Sequence, residues 1–343
     1  MADITILVTC LGGGLSAQFV KLLKSSTRHN IRVVGADMSR DPVARYFSDE
    51  FETIPAGSEL GYSDAVAEIC RRYEVNLVFP SADEEALALA SAISEFDALG
   101  VTLACNSLPV LELITNKIST YRRLADLAIP MPVWREAAGP DALENGLDEV
   151  LVQCGQAVVK CPSGRGGRGI FVINPELTEV ESRPGSHELH MNRDAFLTGP
   201  ARELEWATPM LVMERLSDPV HDLDILAWKG KALTLIPRRR RSSTAPNEGH
   251  IIIDAPELVD MGRKIVSELE LSWLFDIDIM MDGKGRPIVL EVNPRASGSV
   301  AVGMAAGVPL MDDLVSLALG EEVGQREAPV GKQIVAFNSL GAV

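Results

Sequence analysis

The chain has 343 residues, enough for about two domains with substantial hydrophobic cores. Its 32 basic and 48 acidic residues give a formal net charge of −16, which argues against general binding to nucleic acid or to an anionic membrane. No run approaches the ~20 apolar residues of a membrane-spanning helix. The apolar segment 4–10 lacks a basic leader, so it is typical of a strand rather than a signal peptide. Because the five cysteines are scattered, we expect a cytoplasmic protein with reduced thiols.

Short apolar runs alternate with amphipathic stretches over the first 108 residues. The apolar runs predict buried strands at 4–10, 31–37, 76–81 and 101–106. Helical spacing of apolar residues predicts helices at 16–23, 63–73 and 83–96. Because strand and helix alternate, we expect a doubly wound, Rossmann-like domain with a parallel sheet over residues 1–108.

A glycine turn follows the first predicted strand. Gly12, Gly14 and Ala17 form a G-x-G-x-x-A pattern, and Asp37 ends the second strand. This pattern is typical of dinucleotide binding, in which an acid holds a ribose. Alone, this pattern is weak evidence for dinucleotide binding, because any doubly wound domain needs a tight glycine turn after its first strand. An NAD(P)-dependent oxidoreductase is therefore one alternative, although no hydride-transfer residues are evident downstream.

The pattern changes after Pro109. A helix is predicted over 110–128 and ends at Pro130 and Pro132. A stretch at about 134–212, with strands around a glycine-rich loop, is predicted to be a small mobile unit. Its HELH sequence (187–190) is interpreted as a solvated loop, because its two histidines are three residues apart rather than four. Further elements are predicted as strands at 211–216, 223–228, 232–236 and 251–253, helices at 256–270 and 310–319, and a hairpin at 275–293.

Lys160 ends an apolar strand and is the only lysine between Lys117 and Lys229. The loop after it contains Gly164, Gly166, Gly167 and Gly169, together with Arg165 and Arg168. Glycine loses more conformational freedom on ordering than any other residue, so such a loop indicates a compensating ligand. Backbone N–H groups without β-carbons around them can surround a phosphate. A flexible hairpin tip with a structural lysine is the alternative.

The segment 273–295 predicts a hairpin with one oxygen-rich face. With a loop at 282–285, residue 281 pairs with 286, so that Asp278 faces 289 and Asp276 faces 291. Pleating then groups Asp276, Asp278, Glu291 and Asn293 on one face and Ile277, Ile279, Ile288 and Leu290 on the other. Oxygen ligands of this kind suit Mg²⁺ or Mn²⁺. A solvated acidic edge is the alternative.

A lysine before a glycine-rich loop, the M-E-R-L segment (213–216) and a strand ending E-x-N-P-R (291–295) together resemble the ATP-grasp superfamily. The similarity is closest to carbamoyl-phosphate-synthase-like and biotin-carboxylase-like ligases. It implies an α/β chain with a Rossmann-like pre-ATP-grasp domain at 1–108, an ATP-grasp domain at 109–343, and a mobile lid at about 134–212. It also implies ATP with Mg²⁺, or Mn²⁺ in its place.

The resemblance implies the role of each site residue. ATP would be bound by Lys117, Lys160, Ser163, Gly164, Arg165, Gly166, Gly167, Glu214, Arg215 and Leu216, and its ribose by Asp222. Magnesium would be held by Asp278, Glu291 and Asn293. Arg295 would hold the acceptor carboxylate and its acyl phosphate. The arginine run 238–241 would face the active site, where Arg238 or Arg240 would bind an anionic substrate, since only alternate residues of a strand point inward. A solvated run is the alternative.

The function implied by the resemblance is an ATP-dependent ligase. It would activate a carboxylate as an acyl phosphate, join it to an amine or another nucleophile, and release ADP and phosphate. Its partners would be small-molecule carboxylates and amines, with a homodimer expected only by analogy. Two alternatives stay open, the oxidoreductase and a non-catalytic ATP-binding regulatory protein. The complete metal face argues against the second, because a sensor could dispense with one ligand.

Overall fold

A five-stranded parallel sheet forms the N-terminal part of the chain in the computed structural model, which describes residues 2–163, 169–182, 187–243, 245 and 247–337. Its strands are β1 (Ala2–Val8), β2 (His29–Asp37), β3 (Glu50–Thr53), β4 (Leu77–Phe79) and β5 (Thr102–Leu103), in the order β3-β2-β1-β4-β5. Its helices are α1 (Ser16–Lys24), α2 (Tyr62–Tyr73), α3 (Asp83–Ser91) and α4 (Ile93–Ala98). The predicted parallel sheet is confirmed. The sequence analysis missed β3, because this strand has only four residues and they are partly exposed.

Two helices, α5 (Leu108–Thr115) and α6 (Lys117–Asp126), stand where one was predicted over 110–128. The break is at Asn116, whose backbone is extended and whose side chain accepts hydrogen bonds from the N–H groups of Ile118 and Ser119. This cap starts a new helix within a continuous apolar pattern, so the single-helix prediction was wrong. Lys117 thereby becomes the first residue of α6, and its N–H group bonds to the carbonyl of Pro162 at 3.1 Å. The predicted helix at 83–96 is likewise divided, into α3 and α4.

The second sheet has six strands and lies within residues 134–214. Its strands are β6 (Trp134–Ala137), β7 (Ala157–Lys160), β8 (Ile170–Ile173), β9 (Glu181–Ser182), β10 (Glu188–Met191) and β11 (Met210–Glu214), in the order β6-β11-β7-β8-β10-β9. Its helices are α7 (Pro140–Cys154) and α8 (Arg193–Thr198). The reading of HELH as a solvated loop was wrong, because 188–191 form β10 in parallel pairing with β8 and His190 is buried.

A third sheet, all antiparallel, carries the acidic residues. Its strands are β12 (Ser217–Trp228), β13 (Lys231–Arg240), β14 (Gly249–Ile252), β15 (Trp273–Met281), β16 (Pro287–Asn293) and β17 (Gln333–Val335), in the order β16-β15-β12-β13-β14-β17. Its helices are α9 (Pro256–Glu268), α10 (Ala301–Ala305) and α11 (Leu310–Ala318). Across the described ranges, no helix has the length and apolar character needed to cross a membrane.

The hairpin register differs from the predicted one in two places. Met281 pairs with Pro287 rather than with residue 286, so the loop holds five residues and not four. Alone, this shift would move the side chains of β16 to the opposite face. A β-bulge between Ile279 and Asp278 inserts one further residue in β16, so that Asp278 faces Glu291 and Asp276 faces Asn293. The predicted oxygen-rich face is therefore confirmed, although each cross-strand pair was wrong.

The same bulge changes the apolar face of the hairpin. Ile277 lies opposite Val292, and Ile279 lies opposite Val289. The prediction had placed Ile288 and Leu290 on that face. The four residues Ile277, Ile279, Val289 and Val292 are buried in one hydrophobic cluster, which anchors the hairpin.

The N-terminal sheet packs directly on the C-terminal helices. One hydrophobic cluster includes Phe19 and Val20 of α1 together with Leu314 and Val315 of α11. Next to it, the Asp313 carboxylate, which is inaccessible to solvent, contacts Arg28 Nη1 at 2.5 Å and Arg326 Nε at 2.8 Å. Burial raises the pKa of Asp313, but the hydrogen bonds and charges of Arg326 and Arg28 outweigh it, so the pKa is lowered.

We expect Asp313→Asn to lower the free energy of unfolding by roughly 1–3 kcal/mol, because Arg28 and Arg326, both partly exposed, lose the buried carboxylate that pairs with them. Urea denaturation at pH 7 measures this change. A lowered pKa stabilises the fold above the ordinary value of 3.8, so the difference between the two proteins should narrow as the pH falls below that value. Asp260→Asn, at an exposed pair with Arg263, is the control and should change stability by less than about 0.5 kcal/mol. Equal effects of the two substitutions would contradict the prediction.

Candidate functional site

Acidic side chains from three neighbouring strands form two rows on one face of the third sheet. In the first row, Glu291 faces Asp278, and Asp278 faces Asp222 on β12. In the second row, Asn293 faces Asp276, and Asp276 faces Asp224. We call these six residues the acidic face. Cross-strand neighbours lie about 5 Å apart, so the carboxylates repel one another unless cations compensate them.

Three of these carboxylates form the tightest group on this face. Oxygen atoms of Asp222, Asp276 and Asp278 all lie within 4.8 Å of one another. Carboxylate oxygens at this spacing are the donors that Mg²⁺ and Mn²⁺ prefer. The sequence analysis had placed Asp276 and Asp278 on the oxygen-rich face, but the ligand set implied by the resemblance contained only Asp278 of the two, and Asp222 had been assigned to a ribose.

The other two predicted ligands have partners within the protein. The Glu291 carboxylate contacts Lys117 Nζ at 2.8 Å. The Asn293 amide donates a hydrogen bond to Asp276 Oδ2 at 3.1 Å, so its carbonyl oxygen faces elsewhere. Both residues border the three-carboxylate group, one in each row.

Burial and neighbouring charges shift the pKa values of the carboxylates on the acidic face in opposite directions. Burial raises the pKa of Asp276 to about 7 and raises that of Asp278 well above its usual value. The same burial acts on Asp222, but hydrogen bonding to His250 and the charges of Arg238 and Arg240 lower its pKa instead. Neighbouring carboxylates of one face thus have pKa values shifted in opposite directions, according to whether burial or the adjacent cations dominate.

Arg238 and Arg240 project to the acidic face from β13, as strand alternation predicts. Arg240 contacts Asp222 at 2.5 Å and Asp278 at 3.0 Å, and its side chain is 17% exposed. Arg238 has no exposed surface, and its guanidinium donates hydrogen bonds to Asp224, Ser299 and His250. Of the two arginines, Arg240 is therefore the one with exposed surface, and substrate binding by either stays a prediction.

Lys117 and Lys160 are buried together beside Glu291. Lys160 ends β7, and Lys117 begins α6. Burial and the positive charge of Lys117 lower the pKa of Lys160 to about 8, although Glu291 opposes them. Burial also raises the pKa of Glu291, but the two lysines outweigh it and lower that pKa to about 2. The structure thus brings together the two lysines that the sequence singled out.

The glycine-rich loop begins next to this lysine pair. Ser163 is exposed three residues after the end of β7, and Gly169 has the left-handed backbone conformation at φ +68° before β8 begins. The predicted phosphate-binding residues Gly164, Arg165, Gly166 and Gly167 lie outside the described residues.

The predicted hinge joins the second sheet to the third. Glu214 ends β11, and its carboxylate accepts a hydrogen bond from the N–H of Val133 at 2.9 Å. Arg215 makes two contacts with the Glu188 carboxylate of β10, at 2.9 and 3.1 Å. Leu216 is buried in the core. Sequence reasoning missed Glu188, because its only signal was an acid within a segment interpreted as a loop.

Arg295 connects the acidic face to the N-terminal domain. Its guanidinium contacts Asp276 at 3.3 Å and donates a hydrogen bond to Asn293 Oδ1 at 3.3 Å. Its Nε lies 3.2 Å from Oδ1 of Asp83, the first residue of α3. The sequence analysis missed Asp83, because nothing local relates it to a residue more than 200 positions away.

The glycine turn after β1 is hydrogen-bonded to Asp37, the acid that ends β2. The Asp37 carboxylate accepts hydrogen bonds from the N–H groups of Gly12 and Ser39, each at 2.7 Å. In a dinucleotide site this acid would instead bind a ribose. The G-x-G-x-x-A pattern is thus explained as an internally bonded turn.

We expect Arg238→Met to lower the free energy of unfolding by roughly 3–5 kcal/mol, because it leaves the buried Asp224 carboxylate without its counter-charge. Chemical denaturation measures this change. Arg239→Met is the matched control, since Arg239 is exposed on the opposite face of β13, and it should change stability by less than about 0.5 kcal/mol. A stable Arg238→Met protein would refute the structural role given to Arg238.

Two family models match parts of the chain. Residues 6–104 match the model described as PylC-like, N-terminal domain, and residues 207–339 match the model described as ATP-grasp in the biosynthetic pathway with Ter operon. No protein with a curated description matches the chain.

Several solved structures share the fold at low sequence identity. N5-carboxyaminoimidazole synthetase from Staphylococcus aureus, complexed with ADP, is 15% identical with a TM-score of 0.71, over 95% of this chain and 80% of that chain. The biotin carboxylase domain of Hydrogenobacter thermophilus 2-oxoglutarate carboxylase, complexed with MgADP and bicarbonate, is also 15% identical. Its TM-score is 0.71, over 96% of this chain and 73% of that chain. L-amino acid ligase from Bacillus licheniformis is 15% identical with a TM-score of 0.64, over 93% of this chain and 75% of that chain. These likenesses confirm the predicted fold class, and the two matched family models confirm the predicted resemblance.

Proposed function

We propose that this chain, an ATP-grasp protein, is an ATP-dependent ligase that activates a carboxylate as an acyl phosphate and joins it to an amine. The observation that carries the proposal is the group of Asp222, Asp276 and Asp278. This group lies between the arginines of β13 and the lysine pair. Oxygen ligands beside fixed cations are what a bound Mg²⁺-nucleotide requires.

The three-carboxylate group fits magnesium by the chemistry of its donors, and Glu291 and Asn293 border it. When bound, Mg²⁺ offsets the negative charge of the ATP phosphates during phosphoryl transfer. The acidic face and the lysines are held rigidly by β-strands and by the first turn of α6. Such rigidity suits a site whose main task is to position phosphates.

Lys117 and Lys160 would contact the phosphates, and the loop at 163–169 would close over them. The second sheet would then act as the lid of an ATP-grasp domain at 109–343, hinged at Glu214, Arg215 and Leu216. Glu214 would read the adenine. The cofactors would accordingly be ATP and Mg²⁺, with Mn²⁺ as a substitute.

In the reaction, an oxygen of the substrate carboxylate forms a bond to the γ-phosphorus of ATP, and ADP leaves with the electrons of the broken P–O bond. The amine nitrogen then attacks the acyl carbon, phosphate leaves, and the nitrogen releases a proton. Arg295 and Arg240 would stabilise the charge on the carboxylate and the acyl phosphate. The partners would be small molecules that carry a carboxylate or an amine.

We expect Lys160→Ala and Glu291→Ala each to lower kcat/KM for ADP release at least 100-fold, about 3 kcal/mol of transition-state stabilisation. Lys160 would lose a phosphate contact, and loss of Glu291 would leave Lys117 without its carboxylate partner. Lys229→Ala, at an exposed turn, is the control and should retain the wild-type rate. Thermal melting of each variant separates lost activity from unfolding. Rates within tenfold of wild type for both would refute the site assignment.

Nucleotide binding separates this function from the alternatives. ATP with Mg²⁺ should stabilise the protein by about 2.7 kcal/mol at a hundredfold excess over Kd, and the melting temperature should rise accordingly. NADH should give no shift, because the acid of its expected site already bonds to Gly12 and Ser39. A shift with NADH alone would favour the oxidoreductase. Binding of ATP without ADP release in any mixture of carboxylates and amines would favour the regulatory protein.

A further inference from the structure

A cavity of about 220 Å³ lies between the N-terminal turn after β1 and the loop that follows β16. One wall consists of Phe19 and Phe79, whose stacked rings have centroids 5.6 Å apart. Leu11, Leu15 and Val300 complete most of the apolar lining. An apolar lining stabilises an apolar group and penalises an unpaired polar one, so the part of a ligand in this cavity is hydrophobic.

One end of the cavity is charged. Arg295 lines it, and Asp83, which is not itself a lining residue, lies 3.2 Å from Arg295 Nε with its side chain about one quarter exposed. A guanidinium and a carboxylate side by side complement a ligand that carries a carboxylate and an ammonium group on the same carbon atom. A ligand with a carboxylate alone would satisfy Arg295 but would bring its charge close to Asp83.

The size of the cavity limits the ligand further. Pockets for drug-sized molecules typically measure about 300–1,000 Å³, so a dinucleotide or a long acyl chain does not fit here. One branched or aromatic side chain does.

We propose that this cavity binds an α-amino acid with an apolar side chain, whose carboxylate is the group that the enzyme activates. The proposal rests on the proposed function and names its substrate class. The side chain would lie against Phe19 and Phe79, the carboxylate would face Arg295 and the ATP site, and the ammonium group would face Asp83. Asp83 is then a specificity residue supplied by the N-terminal domain.

Hydroxylamine provides a direct assay in place of the unidentified amine. The amino acid carboxylate bonds to the γ-phosphorus and ADP leaves. The hydroxylamine nitrogen attacks the acyl carbon, phosphate leaves, a proton is released, and a hydroxamate remains. With ATP and Mg²⁺, leucine and phenylalanine should give hydroxamate and ADP in equal amounts. We expect kcat/KM for 3-phenylpropanoate, which lacks the ammonium group, to be at least roughly tenfold lower than for phenylalanine. Equal values for the two compounds would overturn the proposal.

Asp83→Asn tests the ammonium contact. It should reduce the preference for phenylalanine over 3-phenylpropanoate to within about twofold, because the charge that selects the ammonium group is lost. A merely structural role for Asp83 would lower the rates for both compounds alike and leave the preference unchanged. That second result would overturn the role given to Asp83.

Gly298→Leu tests the cavity itself. Gly298 lines the cavity, and a β-carbon there meets no atom within 4 Å, so the substitution can be accommodated. We expect kcat/KM for phenylalanine to fall at least roughly tenfold and that for alanine to fall less than threefold. Gly283→Leu, an equally open position in the loop between β15 and β16, is the matched control and should leave both values unchanged. An unaltered preference in Gly298→Leu would remove the cavity from the substrate site.

Failure of this proposal differs from failure of the proposed function. If the protein binds ATP with Mg²⁺ and forms hydroxamates from other carboxylates but not from apolar amino acids, the substrate assignment is wrong and the ligase function stands. If ATP with Mg²⁺ gives no thermal shift, the proposed function itself is wrong.

Discussion

The burial of several carboxylates on one face of the third sheet is the constraint on which the rest of the site depends. Taking a carboxylate out of water costs several kcal/mol, and only nearby cations with good hydrogen-bond geometry offset this cost. Arg238 and Arg240 provide that compensation on one side, and Lys117 provides it for Glu291 on the other. The chain has a net charge of −16, yet several of its cations lie beside the buried acids of this face. This placement would let an acidic protein accommodate the polyanionic nucleotide of the proposed function.

The N-terminal sheet could be predicted from the sequence because its strands are continuous apolar runs, as buried parallel strands require. Helix boundaries were less predictable. Asn116 divides α5 from α6 by a local hydrogen-bond cap that an apolar period does not reveal. Strand β10 was missed because its four residues are polar in part, and parallel pairing with β8 rather than hydrophobicity defines it.

The acidic face was predicted correctly in outline, although its details were not. A longer loop at 282–286 and a bulge in β16 each shift the register by one residue, and together they restore the grouping. The role of Asp222 could not be predicted in the same way. It meets Asp278 because β12 and β15 are adjacent, although β13, β14 and α9 separate them in sequence. Hydrophobic patterns define strands, but they do not define which distant strands pair.

The N-terminal domain contributes to the site as well as to the fold. Asp83 reaches Arg295 from α3, and Phe19 and Phe79 form a wall of the cavity that Arg295 also lines. These contacts depend on the hydrophobic cluster that joins α1 to α10 and α11, and on Asp313 with its two arginines. Asp37 closes the glycine turn from within, and Gly13 of that turn lines the adjoining cavity. A turn that in other proteins approaches a pyrophosphate here borders the cavity that we propose for a compact side chain. Phe19 and Phe79 belong to the core cluster and line this cavity, so the residues that would select the substrate also pack the domains together.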